Sequence, residues 1–192
     1  MSSLRVFLFI VTLASLVGAD AAIAQQPGAA PGAAQKAATP AQQLPNGASS
    51  INETYGEWAV NCRLVEGQKQ CALAHAQGNS QTGQRVFAVE LRTPKDGKTE
   101  GTILMPFGLK LDTGVLLKLD DKDLGQGLHF STCVPQGCLV PVSLPTAATD
   151  AMKKGKTLTL ASLNLNGGDA VAFNVPLEGF AAATARVVEL GK

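Results

Sequence analysis

From Tyr55 onward the large apolar residues recur at every second position, not every third or fourth. Trp58, Val60, Cys62 and Leu64 fall on one side, with Ala59, Asn61 and Arg63 on the other. That period of two predicts half-buried β-strands. The alternation returns over 71–77 and again over 84–93, where Phe87, Val89 and Leu91 oppose Glu90 and Arg92. Pro94-Lys-Asp-Gly97 then reads as a turn. Further strands are predicted over 101–111, 115–120, 128–133, 139–144, 157–165 and 170–176, mostly separated by Gly and Asp clusters. So many short strands at this spacing point to an all-β sandwich or barrel. One or two short helices interrupt the pattern. Residues 146–154 offer Thr146 as N-cap, basic residues at the end and Gly155 as a stop. The Ala-rich stretch 180–190 follows Gly179.

The first fifty residues depart from this pattern. Arg5, an apolar run over 6–17 and Ala22-Ile23-Ala24 predict a secretory signal peptide over residues 1–24. The run is shorter than the ~20 apolar residues that span a bilayer. No later segment is long and apolar enough to span one, so no integral membrane segment is expected after cleavage. Residues 25–52 are predicted to be a disordered linker rich in Ala, Gln, Pro and Gly. As far as residue 50, Lys36 is its only charge and Leu44 its only large apolar side chain, too little to offset the entropy of ordering. The folded domain is therefore expected over 53–192.

Charge adds a negative. The formal net charge is +1, and the signal carries away one Arg and one Asp, leaving it unchanged. A near-neutral domain with scattered charge offers no footprint for nucleic acid. Cysteine adds a positive. Cys62, Cys71, Cys133 and Cys138 downstream of an export signal are expected to form two disulfides outside the reducing cytosol. If Glu66-Gly67 makes a two-residue hairpin turn, Cys62 falls opposite Cys71 at a non-hydrogen-bonded pair, with Cα atoms about 4.5 Å apart. A disulfide accepts that separation. The same register sets Val60 beside Leu73 and Trp58 beside His75. Val134-Pro-Gln-Gly137 suits a type I turn and would bring Cys133 to Cys138. Loop closure is worth about 2–3 kcal/mol for either short loop and about 4–5 for a crossed link, so three connectivities stay open on energy. Turn geometry favours the local pairs.

No residue set nominates catalytic chemistry. The cysteine spacing suits neither zinc, with only His75 and His129 to assist, nor a redox C-x-x-C. His129 and Ser131 lie two apart on one expected strand, and no G-x-S-x-G elbow occurs. Asp121-Lys-Asp123-Leu-Gly125 lacks the Gly and Glu positions of a calcium loop, so a solvated turn is the better reading. Glu53, Glu57, Asp112 and Asp120 are too scattered to form a carboxylate pair. No catalytic, cofactor or metal residue is assigned, and no cofactor is expected. A single sequon, Asn52-Glu-Thr54, completes the inventory.

In order along the chain stand Tyr55-Gly-Glu-Trp58 with Cys62, Cys71 and its alternating strand, Leu104-Met-Pro-Phe-Gly108, Leu111-Asp-Thr-Gly114, Phe130-Ser-Thr-Cys-Val-Pro-Gln-Gly-Cys138 and Pro176-Leu-Glu-Gly-Phe180-Ala. In that order and spacing they resemble the invasion-associated locus B family of exported bacterial proteins, over roughly residues 55–183. The resemblance implies an immunoglobulin-like antiparallel β-sandwich and a periplasmic or outer-surface location. In the family's named pathogenic member it implies a part in entry into red cells, and it brings no catalytic residues.

Two functions compete at this level. One is a non-enzymatic exported protein that binds another envelope protein or a host surface protein. The other is a periplasmic small-molecule- or carbohydrate-binding or hydrolytic sandwich, which needs a concave pocket lined by aromatics and polar groups. Beyond the signal the aromatics are Tyr55, Trp58, Phe87, Phe107, Phe130, Phe173 and Phe180, and most fall on expected core faces. That shortage disfavours sugar stacking.

Overall fold

The computed structural model describes residues 42–78, 81, 85–125 and 127–192. The expected signal segment, and the linker as far as residue 41, lie outside them. A short 3₁₀ turn at Pro45–Gly47 precedes β1 (Ser50–Tyr55), β2 (Trp58–Val65), β3 (Gln68–Gly78), β4 (Arg85–Arg92) and β5 (Lys98–Met105). Then come β6 (Leu116–Leu119), β7 (Lys122–Asp123), β8 (Thr132–Val134), β9 (Gly137–Pro145), α1 (Thr146–Met152), β10 (Thr157–Leu163), β11 (Ala170–Pro176) and α2 (Phe180–Leu190). The strands form two antiparallel sheets, one ordered β1-β2-β3-β4-β5-β9-β8 and the other β11-β10-β6-β7. The chain is all-β with two helices, as its period-two pattern predicts.

The alternation sorts the side chains. Trp58, Val60, Leu73, Phe87, Val89, Leu91, Ile103 and Val140 of the larger sheet are buried with Leu158, Leu160 and Val175 of the smaller one in a shared core. Phe87 stacks on Phe173 across the two sheets, with centroids 5.3 Å apart. Two β11 carbonyls also accept hydrogen bonds from the larger sheet. The Trp58 indole Nε1 donates to Pro176 O at 2.9 Å, and Gln77 Nε2 donates to Asn174 O at 2.6 Å.

Helix α2 closes the core over β1–β3. Phe180, Ala183, Thr184, Val187 and Leu190 form its buried stripe, at the spacing of one helix face. Phe180 meets Trp58 edge-on at 4.9 Å, the arrangement aromatic quadrupoles favour. Just before the helix, the chain crosses the β1–β2 turn so closely that two glycines are required. Gly179 has φ +84, and a Cβ on it would stand 1.9 Å from Tyr55 O. Gly56 has φ +55, and its Cβ would meet Glu178 O at 2.6 Å. Glu57 N donates to that same Glu178 carbonyl at 3.3 Å.

An ion pair fastens the outer side of α2. Arg186 donates from Nε and Nη2 to the two oxygens of Glu53 on β1, each at 2.8 Å, and the Tyr55 hydroxyl donates to the same carboxylate at 2.8 Å. Arg186 also pairs with Glu189 at 2.9 Å. The arginine's hydrogen bonds, then the tyrosine's, hold the Glu53 carboxyl at about 2, below its ordinary 4.5.

Several boundaries differ from expectation, each for a local reason. The expected linker ends too late at residue 52, because Leu44, its one large apolar residue, is buried in the core at 2% exposure. Gln42 anchors the segment, its N–H donating to Gly67 O and its Oε1 accepting from Lys69 N. The strand expected over 101–111 stops at Met105, before Pro106, whose ring cannot supply the next ladder donor. The strand expected over 128–133 shrinks to an isolated bridge between Leu128 and Val115, followed by short β8. Beyond Leu139, β9 has no partner on its β8 side, so Pro141 and Pro145 leave no ladder unfilled there. Thr146 is the first residue of α1 rather than its cap. Pro145 holds the cap position, and the Thr146 hydroxyl donates to Gly97 O at 2.9 Å.

Gly179→Ala is expected to cost more than about 3 kcal/mol in urea unfolding. Gly47→Ala, at φ +71 with nothing near its Cβ position, should cost about 1–2, the left-handed penalty alone. Equal losses would show that the crossing at Gly179 does not limit stability. A carboxyl depressed in the fold contributes stability above its unfolded value and loses it below. The Glu53 contribution should therefore be complete above pH 4.5 and fade towards pH 2. It is expected to amount to about 1 kcal/mol, because the pair is partly exposed. Thermal melts from pH 2 to 6 should fall less steeply for Glu53→Gln, and an unchanged slope would dismiss the pair.

Candidate functional site

The four cysteines are brought together in two local pairs. The Glu66-Gly67 hairpin, with φ +51 and +74, sets Cys62 opposite Cys71. The two are joined at a Cα separation of 4.1 Å. Both are buried in the core cluster. The turn after β8 joins Cys133 to Cys138 at 3.9 Å. Cys133 is exposed and Cys138 buried. No free cysteine stands among the described residues. The thiols are spent as cross-links within one sheet.

The side chains weighed for chemistry are engaged in structure. Ser131 Oγ donates to Leu139 O at 3.1 Å. His75 is buried, with Nδ1 2.8 Å from Glu57 O, Nε2 3.2 Å from Gln77 Nε2 and its ring 5.8 Å from Trp58. The carbonyl at Nδ1 selects the tautomer with its proton there. Asp120 Oδ1 accepts from Lys156 N and Thr157 N, each at 3.0 Å. Asp123 pairs with Lys118 at 3.7 Å across the β6–β7 hairpin, whose turn is Asp120-Asp121. Among the described residues, no group of three or more His, Cys, Asp or Glu is arranged to hold a metal. The groups with displaced protonation are Glu53, Tyr55 and Arg186. Hydrogen bonding to Glu53 raises both Tyr55 and Arg186. That cluster docks a helix to a strand.

Two surfaces are left with exposed character. The first is the outer face of the larger sheet. There the outward positions of β2 to β4 carry Asn61, Arg63, Gln70, Ala72, Glu90 and Arg92, lining a groove of about 810 Å³ that reaches β1. The register places Arg63 opposite Gln70 and Arg92 opposite Ala72, so the two arginines flank β3. The second is a tip formed by the loop after β5 and the loop after β10. Phe107 is 60% exposed and Leu165 58%. Leu165 N donates to Gly108 O, and Leu109 bridges Asn164, so the two side chains project from adjoining loops. Phe107 is therefore an exception among the aromatics, most of which are expected on core faces. Sequence reasoning missed both surfaces. The arginines hold ordinary outward positions, and it takes the β2–β3 register set at Glu66-Gly67 together with the β3–β4 register to bring them to one groove.

Comparison with known proteins fits this architecture. Residues 58–188 match the family described as Invasion associated locus B (IalB) protein. The chain is 44% identical over 152 residues to an Invasion protein B homolog of Brucella abortus, covering 79% of this chain and 87% of that protein. It is 33% identical over 151 residues to Invasion protein B of Bartonella bacilliformis, covering 78% and 81%. The crystal structure of invasion associated protein B from Bartonella henselae superposes with a TM-score of 0.69 at 33% identity, covering 73% of this chain and 97% of that one. With its disulfide-paired sandwich and its motifs embedded in the core crossing, the chain belongs to the invasion-associated locus B family.

Proposed function

We infer that this chain is an exported, non-enzymatic domain of the bacterial envelope or outer surface that acts by binding another protein. The observation that carries this reading is the outer face of the seven-stranded sheet. Helix α2 and the smaller sheet cover its inner side, while its outer side presents a broad run of polar and small residues. Open sheet faces and strand edges are surfaces that proteins recognise. Both disulfides suit an oxidising compartment, in keeping with removal of residues 1–24 as an export signal. Relatives named for invasion support a partner on a host cell, and the same face serves for a partner in the envelope.

Crosslinking in living cells tests the reading. The expected result is one protein captured in stoichiometric amount and competed away by the purified chain. A small molecule retained with no protein captured would overturn it. Protease added to intact cells places the site of action: a chain on the surface should be cleaved, and a periplasmic one protected.

A further inference from the structure

We propose that the groove between Arg63 and Arg92 is a recognition site for an acidic, extended peptide segment of the protein partner. The proposal rests on the reading of this chain as a protein-binding domain and names the chemistry that its outer face selects.

The arginines lie on β2 and β4, one strand apart on either side of β3. Their Cα atoms are therefore about 10 Å apart across the sheet, and offset by two residues along it. Both side chains are exposed. Neither takes part in an ion pair or side-chain hydrogen bond among the described residues, in contrast to Arg186, which is fully engaged. Glu90 sits two positions from Arg92 on the same face and pairs with neither. Two guanidinium forks thus stand open with a carboxylate of their own within the same groove.

Between them the floor is Ala72, which leaves the space over β3 unfilled. Asn61 and Gln70 line the same groove and supply amide donors and acceptors that a peptide backbone can use. A guanidinium matches a carboxylate with two parallel hydrogen bonds, and two such forks at this spacing take acidic side chains from one extended segment. No aromatic residue lines the groove, so a sugar ring finds no stacking surface there. Glu90 sets the polarity: it repels a carboxylate placed beyond Arg92 and confines the acidic positions to the Arg63 side.

The test uses the full exported chain with both disulfides formed and a fluorescein-labelled octaglutamate peptide, read by anisotropy at low ionic strength. Saturable binding is expected. The R63A/R92A double variant should bind at least about tenfold more weakly, with an unchanged melting temperature. K153A/K154A removes the same charge elsewhere and should bind as the parent does. E90Q should tighten binding about threefold, a gain no merely structural role predicts. Added salt should weaken parent binding steeply. Absence of saturable binding, or equal loss in both double variants, overturns the groove. So does Arg63- and Arg92-dependent binding of hyaluronan fragments or phosphatidylserine vesicles without binding of the peptide. Any of these outcomes leaves the protein-binding reading standing on its own crosslinking test.

Discussion

Trp58 sits where four separate parts of the chain must agree. Its indole N–H reaches the carbonyl of Pro176 on the opposite sheet, and its ring meets Phe180 on α2 and His75 on β3. Just before it, Gly56 and Gly179 let the two segments cross with backbone against backbone. A fully buried indole with its one donor satisfied contributes apolar area and direction together. Without that crossing, α2 has no fixed entry onto β1–β3, and the Glu53–Arg186 pair has no reason to form where it does. The buried cysteine pair next to Trp58 on β2 then stiffens the sheet against which everything else is packed.

This gives the shared motifs their meaning. Tyr55-Gly-Glu-Trp58 and Pro176-Leu-Glu-Gly-Phe180 are more than a hundred residues apart in sequence, yet each supplies half of one crossing. A change on one side, such as a Cβ at Gly179, is felt as a clash with the carbonyl of Tyr55 on the other. The backbone leaves no room for alternatives at either glycine, independently of what the protein binds. The motif around Phe107 is different in kind. It ends a strand at Pro106 and turns an aromatic ring outward beside Leu165.

The fold was legible where alternation was strong. The face of Trp58, Val60 and Cys62, the Glu66-Gly67 hairpin and helix 180–190 all follow from local pattern. Legibility failed where tertiary contact overrode composition. Leu44 lies in a stretch that reads as linker, yet its side chain is buried and Gln42 donates one hydrogen bond to Gly67 O and accepts one from Lys69 N. Thr146 has the chemistry of an N-cap, but Pro145 holds that position and the Thr146 hydroxyl donates to Gly97 O. The surface was least legible of all. Arg63 and Arg92 are unremarkable alone, and their relation depends on both neighbours of β3 being in register. Outward positions obey no packing constraint, so one sequence carries little record of what they meet.

The hydrogen bonds from Trp58 and Gln77 to β11 have a consequence for how the molecule behaves in a crowd. Strand β11 is the last of its sheet, and the carbonyls of Asn174 and Pro176 point away from β10. An edge with such acceptors left open would recruit a strand from a neighbouring molecule, and repetition of that step makes a fibre. Here two side chains from the other sheet occupy those acceptors, and Pro176 brings no N–H to offer. The residue that organises the core therefore also covers part of the exposed border of the smaller sheet, where strand addition would otherwise begin.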